Sequence, residues 1–226
     1  FPIHSSQVTD LVIGAKSLPI GTPLSGSGMM IGDAITERDL EDWAVKTRAN
    51  DDVLPAGASP FLAALLRVHG RNVLGQGEPK NLYERKILLV CGSQSDNAKD
   101  ITQSLSDAGS PVFETTKDTA ERCAKSIAES IAANPISVLR HPRETSHSPE
   151  ELTHEIATVT NKVWELIGSE PPHLCLEGGE TAAAVLHRLG AKRFQVTHEW
   201  EPGVVTLVSE GQLTATVKPG SYPWPT

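Results

Sequence analysis

The sequence predicts an α/β fold: a mostly parallel sheet with helices on both faces, a three-layer α/β/α arrangement ending in a C-terminal β-hairpin. Three observations predict it. Apolar runs such as Ile87-Leu88-Leu89-Val90 are continuous rather than alternating, as in strands buried on both faces of a parallel sheet. Each run leads through a small-residue turn into a segment with apolar residues at helical spacing, the βαβ rhythm of a covered parallel sheet. Near the end the rhythm changes. Val204 to Val208, Glu210-Gly211 and Leu213-Thr214-Ala215-Thr216-Val217 form two β runs around a turn, a hairpin signal.

The elements follow in order. Residues 1–28 are rich in Gly, Ser, Thr and Pro with little periodicity and read as loop, set apart from a domain over 29–226. Met29-Met30-Ile31-Gly32 is a short strand. Thr36 then offers an N-cap, with Glu37 and Asp39 in the first turn of a helix reaching about Arg48. Val53-Leu54-Pro55-Ala56 opens a second strand–helix unit through the turn Gly57-Ala58-Ser59, with Pro60 at the first helical position and Gly70 as the stop. Residues 70–84 read as a polar linker. The run Ile87–Val90 passes through Cys91-Gly92-Ser93-Gln94-Ser95 into a helix over about Asp96 to Ala108, closed by Gly109. Val112-Phe113-Glu114 leads to a helix over about Thr119 to Ala133 with the stripe Cys123, Ile127 and Ile131. Ile136-Ser137-Val138-Leu139 is followed by Ser148-Pro149-Glu150-Glu151, a helix start by both the cap and the proline rule. Leu174-Cys175-Leu176 runs into Glu177-Gly178-Gly179-Glu180-Thr181 and a helix to Leu189-Gly190.

Composition removes several function classes. At 226 residues the chain allows one generous domain, or one domain and a fragment. A net charge of −8 repels nucleic acid and anionic membrane surfaces, so neither is expected as a partner. No apolar run approaches the roughly 18 residues of a membrane span. Three cysteines, odd in number and without C-x-x-C spacing, argue against a disulfide framework or a zinc site and for a reducing, cytoplasmic location. Phe1 to Gln7 lack a basic start and an apolar h-region, which reads as a trimmed chain rather than a signal peptide.

In an open α/β sheet, ligands collect beyond the carboxyl ends of the strands. Three turns have that placement: Gly57-Ala58-Ser59, Gly92-Ser93-Gln94-Ser95 and Gly178-Gly179-Glu180-Thr181. Each either presents backbone N–H groups to phosphate or is an ordinary tight turn with a helix cap. One helix N-terminus favours an anion by about 0.3–2 kcal/mol, whereas micromolar binding needs about 8 kcal/mol. Several turns must therefore converge, with a cation to help. Lys218 after the last strand, Arg140 and Arg143 are candidates, although a lone Lys there is usually a solvated edge residue. Glu180 either answers the helix dipole or helps hold Mg²⁺ beside phosphates. No histidine pair has metal-ligand spacing. His141, Cys91 and Cys175 read as packing residues, and the sequence has neither a Walker A loop nor a G-x-G-x-x-G fingerprint.

Several ordered stretches carry a resemblance: Ile31-Gly32-Asp33-Ala34 with Thr36 to Leu40; Gly57 to Leu62; Val90 to Ser95 with Gln103; Gly178-Gly179-Glu180-Thr181-Ala182 with Leu189-Gly190; Glu201-Pro202-Gly203-Val204; and Lys218-Pro219-Gly220. Their order and spacing resemble the C-terminal nucleotide-binding half of the four-carbon acid sugar kinase family. Members of that family phosphorylate the terminal hydroxyl of tetronates and 3-oxo-tetronates from ATP. The resemblance implies an ATP and Mg²⁺ site in which Ser93, Ser95, Gly178, Gly179, Thr181 and Gly220 hold phosphates and ribose. It gives catalytic roles to Glu180, which assists the metal, and Lys218, which neutralises charge.

The family pairs this half with an N-terminal sugar-acid-binding domain carrying an Asp-Asp-x-Thr-Gly-like motif, which this sequence does not contain. Residues 1–28 then read as the remnant of that upstream domain, and the chain is expected to be inactive alone. Its expected partners are the missing domain, a small sugar acid and a second copy in a homodimer. The tail Gly220-Ser221-Tyr222-Pro223-Trp224-Pro225 replaces the family's Gly-Asn-Phe-Gly-like ending and implies a divergent subfamily. The alternative is a non-catalytic nucleotide-binding or regulatory module of the same fold.

Overall fold

The structure, a computed structural model of the chain, describes residues 5, 7–71, 85–115, 120–142, 146–168, 170–211, 213–220, 222 and 224. The chain divides into two compact units, Phe1–Gly75 and Gln76–Thr226.

The first unit contains α1 (Val8–Leu11), β1 (Lys16–Leu18), β2 (Met30–Gly32), α2 (Glu37–Arg48) and α3 (Ser59–Val68). β1 and β2 pair in parallel, Lys16 opposite Met30 and Leu18 opposite Gly32. The segment read as loop thus supplies a strand, whose three residues are too few to show alternation. α2 begins with a capping box, the Thr36 hydroxyl accepting from Asp39 N at 3.3 Å while the Asp39 carboxylate accepts from Thr36 N at 2.8 Å. Hydrogen bonds from the Thr36 hydroxyl, Thr36 N and Ile35 N hold the Asp39 carboxyl below its ordinary range. Gly32 is required by Trp43: a Cβ there would stand 2.7 Å from the indole, whose N–H donates to Asp33 O at 2.8 Å. Val53–Ala56 is not a strand. Pro55 has no N–H for a ladder, and Leu54 is 92% exposed. Of the expected linker, residues 72–84 lie outside the described residues.

The second unit contains β3 (Ile87–Cys91), α4 (Asp96–Asp107), β4 (Val112–Glu114), α5 (Ala120–Ala133), β5 (Ile136–Arg140), α6 (Pro149–Ile167), β6 (His173–Glu177), α7 (Gly179–Arg188), β7 (Phe194–Glu201), β8 (Val204–Ser209) and β9 (Thr214–Lys218). Its seven strands are ordered β4-β5-β3-β6-β9-β8-β7. Every neighbouring pair from β4 to β9 is parallel. β8 runs antiparallel to both β9 and β7, so the C-terminal hairpin is present as expected.

Helices cover both faces. Leu88, Val90, Leu139, Leu174, Leu176 and Ala215 pack in one core with residues of α5, α6 and α7. On the opposite face α4 brings Thr102 to the Arg140 guanidinium, 3.5 Å away. Leu88, Leu89 and Val90 are all under 5% exposed, the physical reason their run is unbroken in sequence. Each such side chain contributes about 1.5–3 kcal/mol by burial. β7 is the strand of this unit that sequence patterning missed. It forms the sheet edge, and register shifts between Val196 and His198 and between Glu199 and Glu201 break the period-two pattern.

β3 and β6 are neighbours, yet the chain leaves β3 into α4 on one face and β6 into α7 on the other. That divergence opens a crevice beyond their carboxyl ends, the topological switch point of the sheet.

Candidate functional site

The turns after β3, β6 and β9 meet at this crevice. In the first, the Ser93 hydroxyl donates to the Ser95 hydroxyl at 3.0 Å and accepts from Ser95 N at 3.2 Å. Ser95 caps α4, accepting from Ala98 N at 3.2 Å, and its own proton goes to Gly220 O at 3.0 Å. The turn after β9 is thereby tied to the turn after β3 across 125 residues of sequence.

Glycine is required where the turns touch. A Cβ on Gly92 would stand 1.8 Å from Thr181 Oγ1, and one on Gly220 would stand 2.9 Å from Ser93 Oγ and 3.9 Å from Gly178 Cα. Gly178 itself sits at φ +101°, a conformation that L side chains rarely adopt. Ser93, Ser95, Gly178, Thr181 and Gly220 therefore share one rim. Gly178 caps α7 without a side-chain hydrogen bond, and the first-turn amides of Gly179, Glu180 and Thr181 have no partner among the described residues. Gly179 and Glu180 are exposed at the mouth, the Glu180 carboxylate without a partner among the described residues.

Beneath the rim, the strand register aligns Glu114, Arg140, Cys91, Glu177 and Lys218 side by side on β4, β5, β3, β6 and β9. Each end of the row is an ion pair. Arg140 Nη2 lies 2.8 Å from Glu114 Oε1, and Lys218 Nζ lies 3.0 Å from Glu177 Oε1 with both side chains 0% exposed. Lys218 is thus no solvated edge residue. Its ammonium donates to Glu177, to Pro219 O at 2.9 Å and to Tyr222 O, which accounts for all three protons. Trp224 Nε1 donates to the other Glu177 oxygen at 3.0 Å, and its ring lies 5.5 Å from the ammonium.

Most of the remaining candidates are engaged within the protein or lie in the first unit. Burial, then the Glu177 carboxylate, pushes the Cys91 thiol up to about 12, and burial does the same to Cys175, which disfavours the thiolate of both. His141 is buried with Nδ1 3.0 Å from the Thr115 hydroxyl, and burial followed by His147 pushes it down to about 4. Arg140 is engaged by Glu114, and Arg143 lies outside the described residues. Gly57, Ala58 and Ser59 belong to the first unit, where a Cβ on Gly57 would stand 2.6 Å from Phe61. Among the described residues no group of three or more His, Cys, Asp or Glu side chains is placed to hold a metal, and no helix is long and apolar enough to cross a membrane. A cavity of about 630 Å³ lies at the other end of the sheet, between Trp164, the segment after α7 and the β8–β9 turn. Sequence reasoning missed Glu114, Glu177 and Trp224. The available signal was a charged residue closing each of several strand runs.

Residues 92–222, more than half of the chain, match the family model described as nucleotide-binding C-terminal domain. Among curated protein sequences none matches. Solved structures share the fold at 18% identity. A Salmonella typhimurium LT2 protein provisionally named a tRNA synthase aligns over 86% of this chain and 50% of its own, with a TM-score of 0.65. A Haemophilus influenzae protein of the DUF1537 family aligns over 87% and 51%, with a TM-score of 0.61. A Bordetella bronchiseptica DUF1537 protein, a domain-swapped dimer with bound citrate, aligns over 98% and 59% at 18% identity, with a TM-score of 0.51. The chain spans about half the length of the first two.

Proposed function

The chain belongs to the family of nucleotide-binding C-terminal domains, and on that premise we propose that it is the ATP-binding half of a kinase that phosphorylates four-carbon sugar acids at the terminal hydroxyl. The observation that carries the reading is the convergence of the turns after β3, β6 and β9 on one rim at the switch point. In this reading the amides of Gly179, Glu180 and Thr181 receive phosphate oxygens along the α7 dipole. Gly178 and Gly179 let the nucleotide approach the backbone, and Ser93, Ser95 and Gly220 shape the opposite wall. Glu180 suits a Mg²⁺ ion carried with the nucleotide, since its carboxylate is exposed in the first turn of α7 without a partner among the described residues. When bound, that ion neutralises phosphate charge. Lys218, expected to do the same, holds the Pro219–Gly220 turn instead, because its three protons are engaged.

Phosphoryl transfer works by positioning and charge stabilisation. The acceptor side therefore belongs to an upstream sugar-acid-binding domain, and the nucleotide half lies in the second unit, Gln76–Thr226. The chain alone turns over little substrate. A homodimer is the proposed assembly, and the three free cysteines support a reducing, cytoplasmic location. One observation favours the second reading, a nucleotide-binding module without catalysis: the Lys218 ammonium is fully engaged inside the protein. ADP release with a panel of tetronates, measured after adding the upstream domain, separates the two.

The direct test is thermal unfolding with MgATP. At about one hundred times Kd the melting point of the parent chain rises by about 5–10 °C. Gly179→Val loses that rise while keeping its own melting point, because a Cβ at Gly179 meets nothing within 4 Å in the protein itself. A parent chain indifferent to both MgATP and MgADP overturns the proposal.

A further inference from the structure

Lys218, Glu177 and Trp224 form one connected unit, of which the nucleotide reading uses only the Lys218 hold on the Pro219–Gly220 turn. Glu177 ends β6, Lys218 ends β9, and the register sets them opposite each other. Lys218 grips its own downstream backbone twice, at Pro219 O and Tyr222 O. Trp224 returns to the same carboxylate through its indole N–H, so both Glu177 oxygens are used, one by the strand-end lysine and one by the tail. Between those attachment points lies Gly220, whose carbonyl receives the Ser95 proton and which has no room for a Cβ beside Ser93. A continuous path thus runs from Trp224 through Glu177 and Lys218 to Gly220, then through Ser95 to Ala98 N in the first turn of α4.

We propose that Glu177, Lys218 and Trp224 are positioning residues for the nucleotide rim: they latch the tail so that the Gly220 turn is held against the Ser93–Ser95 turn. Trp224 lies past the end of the family match at residue 222, so this chain's own tail provides the last attachment. The inference rests on the nucleotide reading for its purpose, not for its geometry. Trp224 touches no phosphate in this scheme. It acts through a carboxylate, a lysine and a turn, and for that reason its effect depends on Ser95.

The test is a double-mutant cycle between Trp224→Phe and Ser95→Ala, read by calorimetric MgATP affinity and by hydrogen exchange of residues 92–98 without nucleotide. Trp224→Phe removes the N–H donor and keeps an aromatic ring. Losing one hydrogen bond to a buried carboxylate corresponds to about a tenfold change in an equilibrium, so MgATP affinity falls about tenfold and the amides at 92–98 exchange faster. In the Ser95→Ala background, where the tie to Gly220 is already absent, Trp224→Phe changes neither quantity further. Equal effects of Trp224→Phe in both backgrounds indicate general loosening and overturn the proposal, as does unchanged exchange at 92–98 in the single variant. Should the parent chain fail to bind MgATP, the nucleotide reading falls while the exchange measurement still decides the latch.

Discussion

Lys218 Nζ stands 3.0 Å from Glu177 Oε1 at opposing register positions on β9 and β6, and neither side chain is exposed. A charge pair this deep is a poor contributor to net stability, because desolvation offsets most of the Coulomb attraction. It is nonetheless expensive to break on one side only.

Removing one partner is therefore expected to hurt more than removing both. Lys218→Met leaves the Glu177 carboxylate buried without its cation and costs about 3–5 kcal/mol. Combining it with Glu177→Leu recovers most of that loss. Urea unfolding of the two singles and the double measures the difference, and simple additivity of the two single losses contradicts this account.

Gly92 tests the contact between the first two turns. With a Cβ 1.8 Å from Thr181 Oγ1 and 2.8 Å from Thr181 Cβ, Gly92→Ala forces α7 or the serine turn to move and costs about 1–3 kcal/mol. Gly92→Ala with Thr181→Ala regains part of it, since the contacts to the Thr181 hydroxyl and Cγ2 are relieved while the 2.8 Å contact to Cβ remains. Gly179→Ala, facing open space, is the neutral comparison in the same denaturation experiment.

Acid is expected to weaken the fold through two histidines. Burial, then Arg85, pushes His173 down to about 4, and His141 is lowered to about the same value by burial and His147. Both are therefore neutral in the folded protein at pH values where the unfolded chain, titrating near about 6.5, already takes up protons. Stability from each is complete above about pH 6.5 and is lost as pH falls toward about 4, by at most about 3 kcal/mol per histidine. His173, with its ring nitrogens 3.1 Å from the Thr214 hydroxyl and 2.8 Å from the Thr216 hydroxyl, is the cleaner probe. His173→Gln flattens the stability slope between pH 6.5 and 4. An unchanged slope in that variant removes His173 from the explanation.

Much of the second unit was legible because its signals are local. The unbroken run Ile87–Val90 announces a strand buried on both faces. Ser95 and Ser148 mark helix starts by caps whose chemistry operates within three residues. The turns at Ser93 and Gly178 stood out for the same reason, because small residues at strand ends are a local property, whereas Gly220 was marked only by the family resemblance. β7 escaped because bulges scramble its alternation, and Val53–Ala56 misled because an apolar string resembles a strand whether or not anything pairs with it.

The sequence by itself determined the α/β class, the order of nearly every element of the second unit and the turns able to face a ligand, since each depends on neighbours a few residues apart. Only the tertiary structure decided that Ser95 reaches Gly220, that Thr181 excludes any side chain at Gly92, and that Lys218 turns inward to Glu177 rather than out to solvent. The reason is strand order. β3, β6 and β9 are far apart along the chain, and their carboxyl ends become neighbours only through crossovers and register that no local pattern encodes.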